Sequence, residues 1–365
     1  MSTITLLVKN GPLTEDDIAM IRRFADERSF DLAFYPGMRR DEANRYNLLD
    51  EPYFFDGAAA LIGLERRAFL QRYKFDIAPT TDDRPFFFKW RALPELLQRP
   101  TMGGAALLDW GYPILVATLA QAAALGLVLI LMPLWFSGGR PAAAAQAGRV
   151  ALYFLAIGFA FLFIEIASIQ RFILFLSHPL NAIAVVLCAF LVFAGIGSGL
   201  APRLEARLAV WRKADRHVGT STRSRVFRLR FAIPDALPVV IAAITFVVVL
   251  HLLLLPPLFR WLMPLPEPIK IVVSLALIAP LAVWMGMPFP LMLSRIAAQT
   301  PDLVPWAWSI NGCASVVSAV AASLLAMNIG FAGVVMTAID FYVLPARRVR
   351  RHGAPTSATE DNDAR

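Results

Sequence analysis

The strongest constraint in this sequence is a series of apolar runs, each about as long as a bilayer is thick. A helix needs about 20 consecutive apolar residues to cross roughly 30 Å of hydrocarbon at about 1.5 Å per residue. Six runs meet or approach that length, at 112–136, 150–169, 182–200, 231–255, 271–287 and 306–327, and a seventh, shorter run covers 331–344. Backbone polar groups in lipid must be satisfied within their own segment, so such runs fold as helices. The expected fold is mostly α: a polytopic transmembrane helix bundle of six or seven spans over residues 111–346. Composition agrees with this. Hydrophobic residues are 58% and charged residues 17% of the chain, against ~45–50% and ~25% in soluble domains, and the mean hydropathy is +0.58. These values exclude a disordered chain, a collagen and a disulfide scaffold, and argue against a purely soluble enzyme. Trp135, Trp261, Trp306, Trp308 and Tyr342 sit near run ends, as interfacial aromatics do.

The net charge of +8 comes from 35 Lys+Arg and 27 Asp+Glu. Its placement beside the apolar runs points to cytoplasmic loops and not to nucleic acid. Nine basic residues lie in 201–230, among them Arg203, Arg207, Arg212 and Lys213, and a basic stop, Arg347–Arg351, opens the tail 347–365. Loop 201–230 and the tail are expected to be cytoplasmic, and the polar stretch from Gly353 onward disordered. With seven spans, that orientation puts the N-terminal region outside. Cys188 and Cys313 are the only cysteines, both in apolar runs, which excludes a disulfide framework and a Cys-based zinc site. None of the four histidines has another at ligand spacing, so no metal site is expected.

Residues 1–110 carry charges throughout and read as soluble structure. β-branched residues at 3–9 predict a strand ended by Gly11-Pro12. Thr14 then opens a helix whose first turn, Glu15-Asp16-Asp17, suits the positive end of its dipole, with Ile18, Ile21, Phe24 and Ala25 as its apolar stripe. A second strand is expected at 30–35, then two helices near 57–63 and 65–73. This strand–helix–strand order makes a partial α/β region, too small for a domain. In the loop 79–88 (PTTDDRPFFF), Asp82, Asp83 and Arg84 are either a solvated, capping cluster or a substrate or partner contact at the membrane edge.

Within the runs, Glu165 stands out. A charge at a span centre costs about 2.5–3.5 kcal/mol on insertion scales, so it must face a partner or a wet cavity. Arg171 is six residues on, about 240° around a helix and off that face. Asn311 is the candidate partner. The functional reading of Glu165 is a proton or cation site, and the alternative is a buried hydrogen-bonded clamp. Gln170, Arg171, His178 and Asn181 gather where the second run ends and the third begins, lining a pocket mouth or capping two helix ends. His251 and Asp340 read as satisfied interfacial residues. The stretch 194–199 (AGIGSG) lacks the strand length and acidic ribose ligand of a nucleotide loop, and reads as a close helix-packing face through Gly195 and Gly199. In 286–290 (GMPFP) two prolines predict an extended turn.

Taken in order, PTTDDRPFFF at 79–88, Phe163-Ile164-Glu165, Gln170-Arg171-Phe172, His178-Pro179, Gly195–Gly199, GMPFP and WAWSING at 306–312 resemble the large bacterial membrane-bound spermidine-synthase-like proteins. The resemblance covers essentially the whole chain. It implies a Rossmann-type, S-adenosylmethionine-dependent domain joined to polytopic membrane segments in a bacterial inner membrane, with residues 1–110 the remnant of that domain. The family's cofactor loop and acidic catalytic residues lie upstream of the region matched, so no catalytic or cofactor-binding residue carries over. Met1 then stands at an internal start, a misplaced gene start, or the start of a split or decayed gene. The chain is expected to lack cofactor and transferase activity alone and to anchor a Rossmann-type catalytic half supplied from elsewhere, with the lipid bilayer as its other partner. Two alternatives stand beside this: a transporter-like module moving a small cation or polyamine past Glu165, and a structural membrane partner.

Overall fold

The computed structural model describes residues 5–47, 49–73, 75–77, 79–86, 89–90, 111–128, 132, 144–218 and 236–351. The chain divides into two compact units, Met1–Pro79 with Phe87–Arg99, and Thr80–Phe86 with Pro100–Arg365.

In the first unit, α1 spans Glu15–Glu27. Thr14 caps it in a reciprocal capping box: the Asp17 N–H donates to the Thr14 hydroxyl at 3.3 Å, and the Asp17 carboxylate accepts the Thr14 N–H at 2.8 Å. Helices α2 (Tyr53–Ile62) and α3 (Arg66–Arg72) follow. The strands expected at 3–9 and 30–35 do not form among the described residues 5–9 and 30–35. Among the described residues neither has a neighbouring strand to supply ladder bonds. Asp31 instead uses its carboxylate to accept the N–H groups of Arg45, Tyr46 and Asn47, the closest at 2.6 Å. The one ladder described here is two residues long, β1 (Phe75–Asp76) antiparallel to β2 (Lys89–Trp90). Of the described residues up to 79, Ala25, Tyr35 and Met38 are the buried hydrophobics, while Leu6, Leu7, Val8, Met20, Phe24 and Phe30 are all more than half exposed.

Ion pairs contribute where a core does not. Glu42 accepts from the Tyr35 hydroxyl at 2.5 Å and pairs with Arg22. The tyrosine hydrogen bond first, and the arginine with it, lower its pKa from the ordinary 4.5 to about 2. A folded pKa below the unfolded one contributes stability at neutral pH that is lost as pH falls from about 4.5 through about 2. Glu42→Gln should therefore reduce hydrogen-exchange protection around residues 35–42 at pH 7. Across that acid window the variant should decline less than the wild type, keeping the contributions of Asp17 and Asp56, whose pKa values are also lowered. Identical acid profiles would refute the role.

The second unit is a helix bundle. Its described helices are α4 (Gly111–Gly126), α5 (Ala144–Leu176), α6 (Pro179–Val218), α7 (Ala236–Leu262), α8 (Glu267–Met285), α9 (Pro288–Gln299) and α10 (Val304–Arg351). Among the described residues, five stretches are long and apolar enough to cross a membrane: Ala147–Leu176, Pro179–Val210, Ala236–Leu262, Glu267–Gln299 and Pro301–Val343. The first is the central helix, with 56% of its apolar window buried against 22–33% for the others. Aromatic contacts join α5 to its neighbours. Phe161 meets Phe190 of α6, Phe175 stacks on Phe259 of α7 at 4.5 Å, and Phe159 and Phe163 both meet Phe341 of α10.

Helix α10 is a hairpin. Gly330, with φ 78° and ψ 166°, breaks it. Asn311 and Ala314 lie against Gly158, whereas Phe341 lies against Phe159. On a straight helix residues 311 and 341 would stand about 45 Å apart. Here both flank the same turn of α5, so 331–351 returns alongside 304–329. This agrees with the separate runs read at 306–327 and 331–344.

The bundle therefore has two distinguishable ends. Asn181 donates to Glu267 at 2.6 Å, joining the starts of α6 and α8 at one end. At the other, Glu205 of α6 faces Arg295 of α9 at 3.8 Å, and the Tyr153 hydroxyl donates to the Pro288 carbonyl at 3.0 Å. The returning hairpin brings 347–351 to that second end, where the described part of the basic segment, 201–218, continues α6.

Three local expectations are corrected. The basic segment is not a loop throughout, because α6 continues as helix to Val218 and 347–351 continue α10; 219–235 and 352–365 lie outside the described residues. At 286–290 the chain does not extend: Gly286 and Met287 stay in the right-handed helical region, and both prolines fall in the first turn of α9. Missing N–H groups cost least there. Gly195 and Gly199 have open space around them, and the close crossing belongs to Gly197 instead. A Cβ on Gly197 would stand 1.9 Å from the Val283 carbonyl oxygen, and one on Gly286 would stand 2.0 Å from that of Ala194.

Candidate functional site

The break at Gly330 exposes two helix ends inside the bundle. Carbonyls at the end of 304–329 and N–H groups at the start of 331–351 lose their intrahelical partners. The segment Thr80–Phe86, part of this same unit, supplies replacements. Thr81 and Arg84 close it into a tight turn, with Arg84 N–H donating to the Thr81 carbonyl at 2.9 Å and Thr81 N–H donating back at 3.3 Å. The turn projects Asp83, whose carboxylate accepts the Ala332 N–H at 2.7 Å and whose carbonyl accepts the Phe331 N–H at 3.0 Å. Arg84 donates to the Met327 carbonyl at 3.4 Å. An acid thus sits on the positive helix end and a base on the negative one, the arrangement that the two dipoles favour. Phe86 packs on Phe331 with ring centroids 5.8 Å apart. Asp82 is exposed and joins none of these contacts.

Gly330 allows this close approach. Its backbone lies where residues with a Cβ are strained, and an added Cβ would stand 2.1 Å from the Asp83 carboxylate.

Arg171, on α5, is half-buried and within electrostatic reach of both Asp83 and His251. Together with Ser168, Leu281 of α8 and Val335 of the returning helix, Arg171 and His251 line a cavity of about 20 Å³, enough for about one water. His251 lies eleven residues before the end of α7, about 16 Å along the axis, and has a backbone hydrogen bond to Leu277.

The other predicted residues are dispersed. Glu165 is buried, 6% exposed, but is not among the cavity's lining residues. Asn311 stands beside Gly158, seven residues or about 10 Å of helix from Glu165, and no hydrogen bond joins them. Gln170 is half-buried, and His178 and Asn181 are exposed at the bundle end, where Asn181 caps toward Glu267. Arg171 is therefore the member of that group drawn to the loop residue Asp83. Gly330 and His251 were missed as site residues. The signal for Gly330 was its position between a full-length run and a 14-residue one, the mark of a turn. Among the described residues no group of three or more His, Cys, Asp and Glu could hold a metal ion. No protein-family model, curated protein or solved structure matches the chain.

Proposed function

We propose that this is an integral membrane protein whose bundle anchors a partner half, a Rossmann-type catalytic domain of the kind the sequence resemblance implies. The observation that carries this reading is the uncovered N-terminal region. A folded region of this length normally buries a continuous apolar core. Among its described residues three are buried, while Leu6, Leu7 and Val8 stand exposed in succession. Side chains alternate faces along a strand, so three consecutive apolar positions fit a strand covered on both sides, as in the parallel sheet of an α/β domain. The sheet neighbours would come from the partner.

The docked turn Thr80–Phe86 supports the same reading. It ties the stretch that follows the N-terminal region to the bundle by both charged groups and Phe86. With the hairpin counted as two crossings, basic residues gather at the end opposite this turn. The positive-inside rule then puts that basic end in the cytoplasm and the turn on the other face.

The test is to isolate the native protein from source membranes with an antibody to the basic segment, then measure its mass and its co-purifying chains. A species well above 40.2 kDa, or a stoichiometric soluble α/β partner, is the expected result. A lone chain of 40.2 kDa would overturn the anchor reading.

A further inference from the structure

Glu165 lies near the middle of α5, eleven residues or about 16 Å from the helix end at Leu176. Its neighbours on the helix face are those four and seven residues away. Gly158 abuts Asn311 and Ala314 of α10, Phe161 meets Phe190 of α6, and Phe172 meets Phe259 of α7 at 5.1 Å. Glu165 itself is 6% exposed, on this packed face of α5.

No charged group is described in the seams between α5 and those neighbours, and the Asn311 amide beside Gly158 makes no hydrogen bond to Glu165. Among the described residues Glu165 makes no hydrogen bond or ion pair, and no charged group exerts a resolved electrostatic effect on it. Arg171 and His251 face the cavity on another side of α5. Residues 182–201 of α6 and 236–250 of α7 contain no Asp, Glu, Lys, Arg or His. In 304–329 of α10, Asp, Glu, Lys, Arg and His are likewise absent, and the Cys313 thiol is bonded to the Gly126 carbonyl at 3.0 Å. Asp340, on the returning half, is exposed. The hydroxyls of Ser168, Ser315 and Ser318 all donate to carbonyls of their own helices. They keep acceptor lone pairs but have no proton left for a carboxylate.

An isolated carboxylate in such surroundings neutralises by taking up a proton. A metal cation would need several further oxygen ligands, and no acidic cluster is described here. We propose that Glu165 is a proton-binding site, its carboxyl carrying a proton in the resting protein and releasing it only when water or a positive charge enters the seam.

Infrared difference spectroscopy on the full chain in lipid vesicles at neutral pH, wild type minus Glu165→Gln, tests this directly. The expected result is a carboxylic-acid C=O stretch that shifts in heavy water. The paired carboxylate stretches in its place would overturn the proposal. Should the variant fail to fold, dicyclohexylcarbodiimide reports on the wild type alone. The protonated acid adds across one C=N bond, oxygen to carbon and proton to nitrogen, so the Glu165 peptide gains the reagent's whole mass. Labelling should fall about tenfold per pH unit above the titration midpoint. Absence of a Glu165 adduct at mildly acidic pH would count against the site.

Discussion

Gly330→Ala is expected to destabilise the bundle by about 3 kcal/mol. Holding alanine at the φ and ψ of this residue costs about 1–3 kcal/mol by itself. The new methyl would also stand 2.1 Å from the Asp83 carboxylate, forcing it off the Ala332 N–H, and a lost N-terminal cap costs about 1 kcal/mol more. Asp83→Ala alone should cost about 1–2 kcal/mol, and Asp83→Asn much less, since Asn caps as well as Asp. The diagnostic result is coupling. In the Asp83→Ala background the methyl meets no carboxylate, so the double variant should fall short of additivity by about 1 kcal/mol. Reversible unfolding of the four proteins in mixed micelles measures this. Strict additivity, or a Gly330→Ala change below about 0.5 kcal/mol, would mean that the turn does not lock the hairpin.

The sequence made the helices legible because lipid leaves the backbone no alternative. Their ends and breaks were less so, because they depend on distant partners. The N-cap of α1 could be read from Thr14 and Asp17, which contact each other within one turn. The role of Asp83 could not, since its acceptor contact is with Ala332, 249 residues away. A cluster of Asp82, Asp83 and Arg84 looks like solvation until a helix end is placed beside it. The end of the run that contains His251 was read short for a related reason: the helix continues past 255, through Pro256 and Pro257, to Leu262. The expected strands do not form among the described residues, where neither has a neighbouring strand. For Glu165 the sequence identified an expensive group, and the structure shows it buried on α5 with no hydrogen bond to the expected Asn311, which stands at Gly158.

Gly197→Ala and Gly286→Ala should be the most damaging small substitutions in the bundle core. The two glycines form one reciprocal crossing between α6 and α8, where each presents bare backbone to a carbonyl oxygen of the other helix. Backbone cannot rotate away as a side chain does, so the helices must part, and overpacking of this kind costs about 1–3 kcal/mol. In a membrane the loss is not offset by water, since close van der Waals contact at small residues is itself a main source of helix association. Gly195 and Gly199 lie on the same helix but meet nothing within 4 Å. There alanine should be neutral or stabilising by about 0.5–1 kcal/mol, the ordinary gain from removing glycine inside a helix. The sequence alone could not choose between these faces, because 194–199 is small on nearly every side. Four alanine variants unfolded under one set of conditions decide it, with opposite signs expected from positions two residues apart. The Gly197→Ala/Gly286→Ala double variant should cost less than the sum, because once the helices separate the second methyl enters space already opened. Equal effects at Gly195 and Gly197 would move the crossing to the other face of α6.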